Sequence, residues 1–189
     1  RIAWISMERD GYEADKTRLM MADVNHVNDG MPEILNIRDL TADFKYNAAG
    51  PVWSPDGKWI YFNALSEGLQ AIYKTDGKDI VRITGEDKWY DFNSPFAIVG
   101  TEDGTELLAS WCSMDFPNEL VRIRENDGSC ESITTENDHI LSQVAPHKTE
   151  ARMVRTVDGK DMLTWVVYPP EFDSTKVYPI CDYVYPGPQ

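Results

Sequence analysis

The sequence predicts an all-β chain, and three observations carry that prediction. Short β-type segments close on an apolar residue followed by threonine at Leu40-Thr41, Ile83-Thr84 and Ile133-Thr134, spaced 43 and 50 residues apart, and Asp-Gly turns recur at Asp56-Gly57 and Asp103-Gly104, 47 residues apart. Each period holds several short runs rich in branched and aromatic residues with glycine turns between them, which is the pattern of a propeller blade. Nowhere in the first 148 residues do apolar residues recur with a helical period over about 11 positions.

The first period runs through Ile2–Met7, a polar loop Glu8–Thr17, Arg18–Val24, a loop Asn25–Pro32 and Glu33–Leu40. The second is the clearest, because PVWSPDGKWIYF at 51–62 contains a turn with a mechanism: Pro55 presets φ, and Gly57 accepts a positive φ without steric cost. Val52-Trp53 and Trp59–Phe62 become hairpin arms, and Leu69–Lys74, the turn Thr75–Lys78 and Asp79–Thr84 complete four strands. The third period shows Phe96–Val99, the turn Glu102-Asp103-Gly104, Glu106–Ser113, Glu119–Arg124, the turn Asn126–Gly128 and Cys130–Ile133. About three four-stranded blades result, ending near residue 148. Ala151–Thr156 and Asp161–Tyr168 then form a separate hairpin around Val157–Lys160. Ile180–Tyr185, broken by Pro186-Gly187-Pro188, reads as a last strand.

A formal charge of −14, from 18 basic and 32 acidic residues, gives no footing on phosphate backbones or anionic lipid, so nucleic acid is excluded as a partner. No apolar run approaches the roughly 20 residues that span a bilayer, and no basic-then-apolar leader opens the sequence. Cys112, Cys130 and Cys181 are odd in number and lack a Cys-x-x-Cys, so they signal neither zinc nor a disulfide framework. They read as three buried thiols, with a Cys112–Cys130 pair in an oxidising compartment as the alternative. His26, His139 and His147 stand in polar loops without metal-ligand spacing.

TVDGKDMLTWVVYPPEFDSTKVYPICDYVYPGPQ, residues 156–189, resembles the entry into the α/β-hydrolase domain of the prolyl oligopeptidase family of serine peptidases. The Trp53-Ser54-Pro55-Asp56-Gly57 hairpin resembles the repeat in that family's propellers. The resemblance implies that residues 1–148 are the C-terminal blades of a partial propeller and 149–189 the first strands of a truncated hydrolase domain. It further implies a parent enzyme of the dipeptidyl peptidase IV-like branch, cleaving short peptides through an acyl-enzyme, without metal or organic cofactor, in a periplasmic or secreted location.

Tyr185 is the site residue that the resemblance supplies. In that branch the tyrosine of a Tyr-x-Gly-Pro segment donates its hydroxyl to the oxyanion, and Tyr185-Pro186-Gly187-Pro188 has this spacing, with Pro186 where a small residue is commoner. A donor fixed about 3 Å from the developing charge is worth roughly 3 kcal/mol of barrier. No Gly-x-Ser-x-Gly elbow occurs, and Ser54 stands in a hairpin turn with no helix after it. In the family's order the triad serine, aspartate and histidine follow the Tyr-x-Gly-Pro segment, so the 189 residues alone are expected to be inactive.

Two further groups invite a reading. Glu8, Asp10, Glu13 and Asp15 form an acidic loop that could meet a substrate amine, although a solvated surface is the preferred interpretation. Trp89-Tyr90-Asp91-Phe92 can line a cleft or pack between blades. The alternative to the enzyme is a propeller that binds a peptide or protein partner without catalysis. Three blades cannot close, so either they form an open arc whose edges are protected by packing or self-association, or the remaining blades are absent from this sequence.

Overall fold

The computed structural model describes residues 1–25, 30–85, 90–102 and 104–184. Three antiparallel sheets follow one another along the chain. The first contains β1 (Ile2–Ser6), β2 (Arg18–Asn25) and β3 (Glu33–Asp39) in that order. The second contains β4 (Ala48–Trp53), β5 (Ile60–Ser66), β6 (Leu69–Thr75) and β7 (Ile80–Arg82). In the third, β10 (Gly104–Cys112), β11 (Glu119–Arg124) and β12 (Cys130–Ser132) are joined by β8 (Asp91–Phe92) and β9 (Ala97–Thr101), which share one edge of β10. β8 and β9 amount to one strand interrupted at Ser94-Pro95, where proline has no N–H for the ladder. Asn93 and Phe96 keep the break in register by donating to the carbonyls of Ser110 and Leu108.

The repeated apolar-Thr pair has one job in all three sheets. The N–H groups of Leu40, Ile83 and Ile133 donate to the carbonyls of Leu19, Ile72 and Leu120 at 2.8, 2.8 and 2.7 Å. The N–H groups of those same residues donate in turn to the hydroxyls of Thr41, Thr84 and Thr134 at 2.9, 3.1 and 2.9 Å. A threonine oxygen thus replaces the next ladder carbonyl, and the outer strand can leave its sheet without orphaning a backbone donor.

Burial follows from stacking. The second sheet lies between the other two, so β5 is buried on both faces and shows no polar alternation. Ile60, Phe62 and Ala64 pack with Leu19 and Met21 of the first sheet, while Tyr61 packs with Phe92, Leu107 and Val121 of the third. Phe44 meets Phe62 and Tyr73 edge-on at 5.6 and 5.1 Å. Asn63 crosses between sheets by donating its amide to the Phe92 carbonyl.

After the third sheet the chain makes a single helical turn, α1 (Asp138–Leu141), and enters a separate hairpin of β13 (Lys148–Arg155) and β14 (Asp161–Tyr168). The hairpin begins three residues earlier than the sequence suggests. Its turn closes through Thr156, whose N–H and hydroxyl both bond the Lys160 carbonyl.

Two expectations change. The stretch Ile180–Val184 is not a strand: Ile180 and Tyr183 are 94% and 83% exposed. A strand is held by a ladder to a neighbour, and none of the described strands lies alongside this one. Cys112 and Cys130 are not on neighbouring strands either, because β11 separates β10 from β12; no disulfide forms, and Cys181 is exposed rather than buried. Among the described residues, no helix is long and apolar enough to cross a membrane.

Candidate functional site

Chemistry-bearing side chains gather at one end of the stack. Register places the β1–β2 loop, the β5–β6 turn and the β10–β11 loop at the same end of their sheets. The fourth sheet docks there as well: Leu163 and Trp165 of β14 close over Gly68 in the β5–β6 turn, and Trp165 shares a small pocket with Leu69, Asp91, Ser113 and Met114. Gly68 is required at this spot, since its φ is +83° and a Cβ would stand 2.3 Å from Leu163 Cδ2. Asp91 ties the second sheet to the third by accepting the Gln70 N–H at 2.7 Å.

Beside that pocket lies a cleft of about 740 Å³ between the β10–β11 loop and the connector that follows α1. Met114, Phe116, Pro117, Leu141 and Val144 make its walls apolar. Asp115 and His147 stand at 3.3 Å across it, from Oδ1 to Nε2. Glu119 anchors the segment that leads into α1, accepting bonds from the Thr134 hydroxyl and from the backbone and side-chain amides of Asn137. These donors, the Thr134 hydroxyl first, hold its carboxyl below the ordinary carboxylate range.

The acidic loop is partly self-neutralised. Arg9 lies 3.7 Å over the Tyr12 ring and clasps Asp15 through Nε and a terminal nitrogen, and these hydrogen bonds lower the Asp15 carboxyl's pKa. Glu8, Asp10 and Glu13 face solvent, as the solvated reading expects. Lys16 stitches the loop's end to the turn that follows β3 through the Thr41 and Ala42 carbonyls.

Ser54 is part of the hairpin turn: its hydroxyl donates to Asp56 at 2.6 Å and accepts the Trp59 N–H at 2.9 Å, so it is structural. Tyr90 and Phe92 pack on Trp111 at 4.4 and 5.9 Å within the third sheet, and Phe92 also shares a core cluster with Tyr61 of the second, which is packing between blades. His139 lies exposed on α1 with its Nδ1 at the Glu136 carbonyl. Tyr185, His26, Trp89 and Asp103 lie outside the described residues. No group of His, Cys, Asp or Glu among the described residues is arranged to hold a metal ion.

Sequence spacing could not announce two of the polar clusters. Asp115 and His147 meet only because the connector folds back, and the other cluster joins two sheets: Tyr61 donates to Glu125 at 2.8 Å, and Lys74 pairs with the same carboxylate while lying 4.3 Å over Trp59. Burial pushes the Tyr61 hydroxyl's pKa up to about 12, with Asp56 adding to the effect, and draws the Lys74 amine down.

No family model matches the chain. It is 39% identical over its whole length to dipeptidyl-peptidase 5 of Porphyromonas gingivalis and 38% identical to that of Porphyromonas endodontalis. A probable dipeptidyl-peptidase 5 of Arthroderma benhamiae is 24% identical. The chain spans about a quarter of the length of these relatives: 26%, 25% and 25%. Among solved structures, 89% of the chain superposes on 24% of the Pyrococcus horikoshii acylaminoacyl peptidase, with a TM-score of 0.62 at 16% identity. The AtxE2 isopeptidase takes 90% of the chain on 24% of its own, with a TM-score of 0.61 at 18% identity. At those identities the likeness shows the fold. Together with the whole-length identity to the dipeptidyl-peptidases, it supports a peptidase of the prolyl oligopeptidase family, to about a quarter of whose length this chain corresponds.

Proposed function

We propose that these residues serve a serine exopeptidase that releases dipeptides from short peptides. The 39% identity to a dipeptidyl-peptidase 5 across every residue of the chain carries this reading. The three sheets supply a wall of propeller, and the residues from about 149 onwards open the α/β-hydrolase domain. The Gly68–Leu163–Trp165 contact is consistent with the hairpin being seated on the end of that wall. Serine attack, proton transfer through histidine and stabilisation of the oxyanion are steps of the longer protein, and Tyr185 is the donor to that oxyanion. The enzyme works in the periplasm or outside the cell.

The test is hydrolysis of chromogenic dipeptide and acyl-amino-acid substrates by the 189-residue chain and by the gene product extended past Gln189, each with a serine-directed phosphonylating reagent. Turnover and labelling in the extended protein alone are expected, with the dipeptide substrate preferred. Tyr185→Phe in the extended protein should lower kcat by about 10²-fold or more. An extended protein that is neither active nor labelled would leave a propeller that binds peptides without cleaving them.

A further inference from the structure

We infer that Asp115 and His147 are positioning residues: their contact is the second anchor of the β13–β14 hairpin on the stack, and it fixes the direction in which the chain leaves that hairpin. The first anchor is the seat where Leu163 and Trp165 close over Gly68 of the second sheet. One such contact is a pivot. The second lies further along the hairpin, because His147 directly precedes β13, and Lys148 pairs with Tyr168, the last residue of β14. Trp165 and Tyr168 are three residues apart, about 10 Å along a strand. Two points at that separation, one on the second sheet and one on the third, hold an orientation that either alone leaves free.

The base that carries both anchors is itself joined. Asp91 shares the Trp165 pocket and accepts the Gln70 N–H of the second sheet at 2.7 Å. In the third sheet the same Asp91 pairs with Cys112, three residues before Asp115. Movement of one anchor relative to the other therefore has to break a bond between sheets.

Neither the connector nor the rest of the hairpin can take over this role. The side-chain bonds of α1 and its surroundings are internal: His139 Nδ1 lies at the Glu136 carbonyl, and Gln143 donates to the His139 carbonyl at 2.6 Å. The cleft of about 740 Å³ separates this segment from the β10–β11 loop. Within the hairpin, Lys148 and Arg152 pair with Glu150, Arg155 with Asp161 and Lys160 with Asp158. Among the described residues, Asp115–His147 is the single ion pair between residues 138–168 and the three sheets. The consequence for catalysis rests on the peptidase reading proposed above. The residues after β14 include Tyr185, and a misplacement of about 1 Å can cost about 10²-fold in rate.

The test uses the gene product extended past Gln189, labelled with fluorotryptophan, with the Trp165 signal assigned through Trp165→Phe. Asp115→Ala and His147→Ala should each shift or broaden the Trp165 fluorine resonance and lower kcat on dipeptide substrates about tenfold or more, with KM little changed. The double variant should be no worse than the singles, because both remove one contact. Asp115→Glu, which keeps the carboxylate, should recover both readouts. Thermal unfolding should barely change, since a partly exposed pair contributes little to stability. An unmoved Trp165 signal in both alanine variants overturns the inference. So does a signal that moves while kcat holds, because the pair would then anchor the hairpin without serving the reaction. If the unmodified extended protein is inactive, the peptidase reading fails, and the fluorine signal alone decides whether the anchor exists.

Discussion

Replacing Thr84 by valine removes one oxygen and keeps the side chain's shape. Thr84 is the best of the three threonines to test, since Thr41 also donates to Asp39 and Thr134 to Glu119, while the Thr84 hydroxyl accepts the Ile72 N–H at 3.1 Å. Ile72 is fully buried and Thr84 is 2% exposed, so water cannot replace the lost acceptor. A buried donor left unsatisfied costs about 1–3 kcal/mol. For a chain of this length that corresponds to a fall in Tm of roughly 2–4 °C per kcal/mol. Thr84→Ser keeps the acceptor and loses a methyl worth about 0.8 kcal/mol, so it should be the milder change. Urea unfolding followed by tryptophan fluorescence, with the three chains side by side, measures the difference. Valine as stable as the wild type, or more stable than serine, would refute the assignment of the clamp as a satisfied buried hydrogen bond.

Other perturbations act at named points. Gly128→Ala should destabilise more than Gly68→Ala in the same unfolding assay: at Gly128 the new Cβ meets the rigid backbone carbonyl of Ile83 at 2.5 Å, whereas at Gly68 it meets the yielding end of Leu163. Hydrogen bonds from Arg152, Lys148 and Tyr168 hold the Glu150 carboxyl at about 2, below its ordinary value near 4.3. The folded value is the lower one, so the stabilisation is complete above the unfolded value and is lost as pH falls from there towards 2. Carboxyl NMR titration should show that midpoint, and Arg152→Gln should move it upwards. Glu119→Ala should speed hydrogen exchange over residues 134–144 while leaving β10 and β11 protected, because the carboxylate is the acceptor that pins this connector.

What the sequence determined by itself was local. Pro55-Asp56-Gly57 forms its hairpin, and the apolar-Thr pairs mark strand ends, because each depends on φ preferences or on hydrogen bonds with few alternatives. The resemblance of residues 156–189 to a hydrolase entry segment likewise followed from consecutive residues. Tertiary structure decided the rest. The short apolar and aromatic run that begins at Ile180 looks like a strand, yet pairing requires a second strand at the right distance, which a sequence cannot supply to itself. β5 reads as an ordinary strand and turns out to be covered on both faces, because its neighbours come from other periods. Asp115 meets His147, and Lys74 and Tyr61 meet Glu125, only where the chain folds back or one sheet stacks on the next. Electrostatics and burial at such points depend on distances through space, so no spacing along the chain announces them.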